Sequence, residues 1–348
     1  MAGTKNLTVG RPLQLILGFA FPLLFGFVFQ QLYNVVDSLV VGNVLGTEAL
    51  AAVSSSGSLI FLLIGFFSGA FTGAGVVISR AWGARDHEKV SRAVHTMLAF
   101  GLSSGLLLTV VGLILTPVIL RLMGTPEAVL PNSILYFRIY FSGVMTVVLF
   151  NVCSGIFQAV GDSRRPLLFL VVSSCTNVVL DLLFVAVLDM GIGGAALATV
   201  LSQGVSAALG LWSLSHAQES YRIRLHRIRF HMAELKELLH MGIPSGMQNS
   251  IISLANLVVQ SHVNSFGANA MAGCGAYSKI EGFGFLPVTS FCMAITTFVG
   301  QNLGAGQYDR AKKGAKFGIA SCVVLAECIG VLIYWQAPNL VALFENSP

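Results

Sequence analysis

Two aspartates lie in segments of this sequence that are otherwise apolar enough to cross a membrane. Asp37 belongs to the run Leu13–Val41, and Asp181 stands between the apolar triplets Val178–Leu180 and Leu182–Phe184. A carboxylate at the centre of a bilayer helix costs roughly 2.5–3.5 kcal/mol on insertion scales, so both are expected to face the protein interior and to serve a function. If the two meet, either one carboxyl group holds a proton or a small cation neutralises the pair. Both arrangements would respond to an ion gradient.

Neutral polar side chains share helical faces with these acids. Gln30, Asn34 and Asp37 are spaced as one stripe of a helix, and Asn177 precedes Asp181 by four residues. Carboxylate, amide and hydroxyl oxygens are hard ligands, which Na⁺ accepts. A structural interpretation stays open, because Asp181 could form a purely structural hydrogen bond and hydroxyls in membrane helices usually bond to their own backbone. The candidate cation site comprises Asp37, Asn177, Asp181 and Thr199.

Other polar residues predict a cavity and a flexible helix. Pro22 lies 15 residues before Asp37 and removes one helical hydrogen bond, so this helix is expected to bend there. A later helix carries amides and hydroxyls along one face, which suits either a water-filled cavity or a helix interface, and the next helix contains an acid. The predicted cavity-lining residues are Phe29, Gln30, Tyr33, Asn34, Asn249, Asn256, Gln260 and Glu281.

The elements that must position these side chains are long apolar helices. The chain is 55% hydrophobic and 10% charged, whereas a soluble chain is nearer a quarter charged. Repeated apolar runs match the thickness of a bilayer and predict an all-α polytopic membrane protein. Nine transmembrane helices are expected, at about 13–41, 50–79, 94–120, 133–159, 167–188, 192–215, 238–264, 271–300 and 315–337.

The basic residues alternate with these spans. Of the 20 Lys and Arg residues, 17 precede the first span or follow an even-numbered one. The positive-inside rule then predicts a multi-pass cell-membrane protein whose N-terminus and basic loops are cytoplasmic. The net charge of +5 therefore reflects the membrane topology of the chain and does not indicate a nucleic-acid partner. No P-loop, nucleophile elbow or His/Cys metal cluster occurs in the sequence, so we expect neither an enzyme nor a cofactor, and no metal beyond Na⁺.

An internal repeat relates the two ends of the chain. Residues 22–126 recur weakly 221–222 positions later, so that Pro22 matches Pro244 and Gly83–Arg85 matches Gly304–Gly306. Six spans lie between equivalent points, and this even number predicts two halves of equal orientation about an axis along the membrane normal. The second copy stops at Pro348, which predicts nine helices of a twelve-helix plan. The expected units are a six-helix N-terminal lobe (1–215), a cytoplasmic linker (216–237) and three helices of an incomplete second lobe (238–348).

These motifs resemble the multidrug and toxic compound extrusion (MATE) family, and most closely its DinF-like branch. The resemblance rests on Pro22, on Asp37–Gly42, on Gly83–Arg85 and above all on Phe157–Pro166. In that branch, the counterparts of Asp37, Asn177, Asp181 and Thr199 form the cation site, and the counterpart of Pro22 is the bend. In another branch a key acid lies in the seventh helix, where this chain has only amides and hydroxyls.

The resemblance implies two six-helix lobes around a central cavity and export of amphipathic, often cationic compounds by antiport with H⁺ or Na⁺. The implied partners are the lipid bilayer and small substrates, and the complete protein would be a monomer. Two alternatives stay open. A lipid-linked saccharide flippase of the same superfamily would need a basic cavity for pyrophosphate, and only Lys279 lies well inside a span. A non-transporting truncated remnant would have lost part of its cavity wall.

Overall fold

The computed structural model describes residues 6–122, 127, 130–266 and 268–342. These ranges fold almost entirely into helices, and no β-strand occurs in them. The principal helices are α1 (Pro12–Leu45), α2 (Thr47–Gly83), α3 (His87–Leu122), α4 (Leu130–Ser142), α5 (Val144–Ala159), α6 (Arg164–Asp181), α7 (Gly191–Ser215), α8 (Met232–Ser265), α9 (Ala268–Gly304) and α10 (Tyr308–Ala342). A π-helix (Leu182–Val187) continues α6, and a short 3₁₀ helix (Leu225–Arg227) lies between α7 and α8.

The helices coincide with the predicted spans, although some ends differ by up to seven residues and the fourth span is divided between α4 and α5. Within the described chain, seven helical segments are long and apolar enough to cross a bilayer, and eight if α4 and α5 form one span. These two helices are bent by 47° about Gly143, a break that the sequence did not predict. α8 matches the seventh predicted span but is not among the seven segments that pass this test, because charged residues begin it and amides follow. The predicted all-α membrane architecture is confirmed, whereas the count of nine spans and the two lobes stay predictions.

All the basic loops meet at one end of the helices, which we call the basic end. Lys89 on α3 pairs with Glu237 on α8 at 2.9 Å. Near them, Arg92 donates to Glu234, also on α8, at 2.5 Å. The side-chain amide of Gln301, at the end of α9, donates to the carbonyl oxygen of Ala159 at the end of α5 (2.9 Å). The alternation of charge in the sequence thus corresponds to a single charged surface in the fold.

The internal repeat is visible in the backbone of the α2–α3 and α9–α10 turns. Arg85 donates to the carbonyl of Trp82 at 3.0 Å, and Gly306, which lies 221 positions later, donates to the carbonyl of Leu303 at 3.1 Å. Both residues have a left-handed conformation, with φ of 58° at Arg85 and 70° at Gly306. Glycine adopts this conformation without strain, whereas arginine does so at some cost. Matching hydrogen bonds and backbone angles support the repeat beyond sequence similarity.

The two copies touch where α2 crosses α9 at the basic end. A β-carbon added to Gly83 would overlap the carbonyl oxygen of Gln301, and one added to Gly304 would overlap that of Arg80. Arg80 and Gln301, like Gly83 and Gly304, are separated by 221 residues. The crossing is therefore self-complementary about the axis that relates the two copies. Glycine is required here because one backbone lies directly against the other.

Gln301 fastens the N-terminal segment to this crossing. Its side-chain oxygen accepts a hydrogen bond from the backbone N–H of Leu7 (3.1 Å), while its side-chain N–H group donates to Ala159. Gln301 and Leu7 are both fully buried, so neither bond competes with bulk water. The neighbouring Asn302 donates to the carbonyl oxygen of Leu7 at 3.2 Å. These contacts join the N-terminal segment, the first repeat and the second repeat at one point.

We predict that Gln301→Ala lowers the stability of the purified protein substantially. The substitution leaves two buried backbone groups without partners, and each such loss costs about 1–3 kcal/mol. The measurement is thermal unfolding in detergent, with Gln307→Ala as the matched control, because Gln307 is exposed at the same end of the fold. Equal unfolding temperatures for the two variants would contradict this role for Gln301.

Candidate cation site and central cavity

The candidate cation site lies where α1 approaches α6 and α7. Two serine hydroxyls fasten α6 to α7: Ser173 donates to the carbonyl of Ser202 (2.7 Å), and Ser206 donates to that of Phe169 (3.2 Å). Both bonds are buried, so the α6–α7 pair forms a rigid wall against which α1 packs. This wall fixes the position of Asp181, which is the last α-helical residue of α6.

Asp37 and Asp181 face each other across this contact and lie within range of direct side-chain interaction. Asp181 is completely buried and Asn177 is 1% exposed. Among the residues that the structure describes, no donor reaches either carboxylate oxygen of Asp181 or Oδ1 of Asp37, and none pairs with either polar atom of the Asn177 side chain. The two carboxyl groups can hydrogen-bond to each other only when one of them holds a proton. Unpartnered hard oxygens around a buried carboxylate pair suit a proton or a small cation.

Thr199 uses its hydroxyl proton within its own helix. Its hydroxyl donates to the carbonyl of Ala195 at 3.1 Å, which is the structural role that the sequence left open. The hydroxyl oxygen still has lone pairs, and Thr199 lines the same cavity as Asp37. Asp37 and Thr199 thus lie on the wall of one cavity, Asp181 contacts Asp37, and Asn177 is buried one turn before Asp181; their joint role in binding a cation stays a prediction.

Three tyrosines lie around the carboxylate pair, and two of them, Tyr136 and Tyr140, were not predicted from the sequence. Tyr136 and Tyr140, one turn apart on α4, have stacked rings with centroids 6.4 Å apart and are largely buried. Tyr33 lies beside Asp37, Asp181 and Tyr140. Phenolic hydroxyls can donate to a carboxylate or accept from a protonated one. The signal available in the sequence was a pair of hydroxyl-bearing rings four residues apart in an apolar segment.

A second missed feature is the π-helix that begins directly after Asp181 and runs over Leu182–Val187. A π-helix adds one residue to a helical turn and costs stability, so such segments are frequently retained at functional sites. The extra residue here changes the phase of the helix immediately beyond the carboxylate. Apolar periodicity alone could not reveal it, because every residue in this segment is apolar.

The site opens onto a central cavity of about 860 Å³. Among the described side chains that line this cavity, Asp37 is the one charged group, and no Lys, Arg or His lines it. The remaining wall combines apolar, aromatic, amide and hydroxyl side chains from α1, α2, α4, α5, α6 and α7 with a few residues of α8 and α9. This volume is in the range of cavities that hold drug-sized molecules. The cavity is therefore suited to neutral or cationic compounds.

The predicted lining residues divide into three groups. Gln30, Tyr33, Asn34 and Asn249 line the cavity, as does Pro22. Phe29, Asn256 and Glu281 do not line it, and Phe29 and Asn256 lie on exposed helix faces. The side chain of Gln260 lies outside the described residues. Asn249 combines both of the roles left open by the sequence, because it lines the cavity and also donates to the carbonyl of Gly65 on α2 at 3.2 Å.

The motif Phe157–Pro166 forms the α5–α6 corner at the basic end and does not line the cation site. Asp162, just before the N-cap residue of α6, accepts hydrogen bonds from the backbone N–H groups of Arg164 (3.0 Å) and Arg165 (3.2 Å), which have no partner within the helix. The guanidinium group of Arg165 pairs with Asp162 at 3.3 Å and lies over the ring of Phe157 at 5.3 Å. This corner positions the start of the helix that ends at Asp181.

Helices of bilayer length, a buried carboxylate pair and a drug-sized cavity define a multi-pass membrane transporter. A MatE family model matches residues 22–183 and also residues 244–348, so its two matches begin at the two prolines that the repeat relates. The chain belongs to the MatE family, and its relatives are transporters rather than enzymes. The predicted family resemblance is confirmed, whereas the DinF-like branch stays a prediction.

Three relatives illustrate this membership. The chain is 33% identical over 335 residues to the probable multidrug resistance protein YoeA of Bacillus subtilis, covering 94% of this chain and 72% of that protein. It is 26% identical to the FAD transporter of Shewanella oneidensis, covering 91% of this chain and 71% of that one. A solved outward-facing multidrug resistance MATE transporter superposes with a TM-score of 0.91 at 27% identity, over 100% of this chain and 78% of that one. The chain thus spans about three quarters of each relative.

Proposed function

We propose that this protein exports amphipathic, often cationic compounds by antiport with H⁺ or Na⁺. The observation that carries the proposal is the buried Asp37–Asp181 pair at the edge of a cavity of about 860 Å³ with no basic side chain in its described lining. The multidrug resistance relatives support the same class of cargo. No organic cofactor is needed, because the ion gradient supplies the driving force.

The coupling ion would act by neutralising the carboxylate pair. A proton or Na⁺ entering from outside removes the repulsion between the two acids, and α1 then moves at Pro22, whose missing N–H leaves the carbonyl of Gly18 without its helical partner. Movement of α1 changes the cavity because residues from Pro22 to Ser38 line it. The membrane potential contributes about 2.3 kcal/mol per charge per 100 mV, which is enough to shift such an equilibrium more than tenfold.

The charge of the cavity distinguishes this cargo from two alternatives. FAD, which the Shewanella relative transports by name, and a lipid-linked saccharide both carry phosphate groups. Phosphate would be repelled by Asp37, and no described lining residue offers a cation to bind it. The side chain of Lys279, the basic residue that the flippase hypothesis requires, lies outside the described residues. The cavity favours a neutral or positively charged cargo.

The proposal includes the placement of the chain in the cell. The basic end would face the cytoplasm by the positive-inside rule, with the N-terminus on that side of the cell membrane. Residues 1–215 would form one lobe, 216–237 the linker and 238–348 part of the other lobe, and one copy would hold a complete cation site. All four site residues belong to the first lobe, so the site does not depend on a second chain.

The test is transport by the purified full chain in liposomes. With an imposed H⁺ or Na⁺ gradient, we expect a cationic dye such as ethidium to move in the direction opposite to the ion, whereas FAD should not move. The ion whose gradient drives the dye is the coupling ion. Dye movement that is no faster than in empty liposomes under either gradient would contradict the proposal and would favour a non-transporting protein. Transport of FAD alone would replace the cationic cargo with an anionic one.

A further inference from the structure

A second large cleft lies at the basic end, away from the central cavity. The segment between α7 and α8 folds back over the first turns of α3 and encloses about 770 Å³ with them. Five arginines line this cleft, against two glutamates, Glu88 and Glu219. The arginines are Arg92, Arg222, Arg224, Arg227 and Arg229. Nothing in the proposed transport cycle uses this concentration of positive charge.

Two buried contacts hold the segment in place over α3. His95 is 1% exposed; its Nδ1 donates to the carbonyl of Ser91 (2.7 Å), and its Nε2 accepts from the backbone N–H of Arg224 (3.0 Å). Thr96, also fully buried, accepts from the backbone N–H of His231 at 3.2 Å. The backbone that carries the arginines is therefore fixed at both ends, and the cleft is built into the fold.

Some of these arginines form hydrogen bonds or ion pairs within the protein, and others do not. Arg92 pairs with Glu88 and Glu234, and Arg222 donates to the carbonyl of Ser215 at 2.8 Å. The guanidinium groups of Arg224 and Arg227 have no hydrogen bond or ion pair with any described residue. Both side chains are exposed, and both line the cleft. Two neighbouring unpaired guanidinium groups above an anchored backbone are suited to bind a phosphate group in a bidentate manner.

We propose that this cleft binds a phosphate-bearing anion, and that its source is the headgroup of an anionic phospholipid. Large apolar side chains beside the cleft point away from the protein: Leu225 is 83% exposed, Met232 is 73% exposed and Trp212 is 63% exposed. Apolar and aromatic side chains next to basic residues are typical of a segment at the membrane surface. A soluble phosphate compound would have the same affinity for Arg224 and Arg227 but would gain nothing from these apolar groups.

The experiment measures thermal unfolding of the full chain in a neutral detergent. The probes are short-chain phosphatidylglycerol, short-chain phosphatidylcholine and inorganic pyrophosphate. Phosphatidylglycerol is expected to raise the unfolding temperature saturably, by about 3–5 °C at a hundredfold excess over its Kd. The test variant is the double substitution Arg224→Gln with Arg227→Gln. Its matched control is Lys312→Gln with Lys313→Gln, which removes the same charge from exposed positions at the basic end outside the cleft.

We expect the arginine variant to lose the phosphatidylglycerol shift, while the lysine variant retains it and phosphatidylcholine gives none. Pyrophosphate should act more weakly than the lipid, because it lacks acyl chains. A shift with pyrophosphate that equals or exceeds the lipid effect would overturn the lipid source. A shift that is the same in both variants and the wild type, or the absence of any shift, would overturn the site itself. Neither result depends on which cargo the central cavity carries.

Discussion

Replacement of Asp37 by asparagine should abolish ion-driven export while leaving the protein folded. Asparagine keeps the size of the side chain and a polar oxygen, but it cannot gain or lose a proton and carries no charge to attract Na⁺. Asp37 is also the carboxyl group through which the buried pair faces the cavity, since Asp181 is fully buried behind it. Without this charge, binding of the ion no longer distinguishes two states of the protein, and a ligand without such a preference shifts no equilibrium.

The expected loss is at least tenfold in the initial rate of gradient-driven dye transport. A single carboxylate whose neutralisation is worth about 1.4 kcal/mol already accounts for a factor of ten. The matched control is Glu327→Gln, which removes an acid from an exposed position on α10, away from the cavity. It should retain the wild-type rate. Wild-type transport by Asp37→Asn, with unchanged dependence on the driving ion, would contradict the assignment.

The partner acid offers a sharper form of the same measurement. If Asp37 and Asp181 act as one unit, Asp181→Asn should cost about as much as Asp37→Asn, and the double variant should cost little more than either one. Residues in direct contact show such non-additive behaviour, whereas independent sites add. Additive losses in the double variant would indicate that the two acids act in separate steps.

The sequence identified Asp37 and Asp181 as candidate functional residues, because a carboxylate in an apolar segment carries a free-energy cost that a functional role would explain. Helix positions followed from apolar run lengths for the same reason, and the alternation of charge located the basic end. The rest of the site depends on tertiary packing between helices, which no periodic pattern in the sequence reveals. Tyr136 and Tyr140 line the same cavity as residues of α1, and nothing in their spacing identifies α1 as the neighbour. The contact between Leu7 and Gln301 joins residues 294 positions apart, which a single sequence cannot reveal.

The second prediction with a large expected effect concerns the crossing of α2 and α9. In this structure α2 packs against both α8 and α9, and direct backbone contact between α2 and α9 closes the fold at this point of the basic end. If the basic end faces the cytoplasm, as proposed, export requires that this end open to admit cargo and then close again. The closed state needs glycine at positions 83 and 304, where any β-carbon would overlap the opposite backbone. Substitution there should therefore penalise the closed state specifically.

We expect Gly83→Ala to shift the protein toward a state that is open at the basic end. Overpacking costs about 1–3 kcal/mol, which corresponds to a change of roughly 5- to 150-fold in the closed-to-open ratio. The reporter is Ser79→Cys, because Ser79 is 1% exposed at the same crossing. Membrane-impermeant maleimide applied from the basic side should label it at least fivefold faster in Gly83→Ala, after subtraction of the labelling of the native cysteines. Gly304→Ala, its equivalent in the second copy, should have the same effect.

Gly65→Ala provides the control on the same helix. No described atom outside its own helix lies within 4 Å of a β-carbon added at Gly65. Both substitutions gain about 1 kcal/mol of helix propensity, so this contribution cancels when the two variants are compared. Faster labelling in Gly83→Ala than in Gly65→Ala then measures the crossing alone. Equal labelling rates would mean that α2 and α9 part elsewhere during transport, and that their close contact at the basic end serves only to hold the two repeats together.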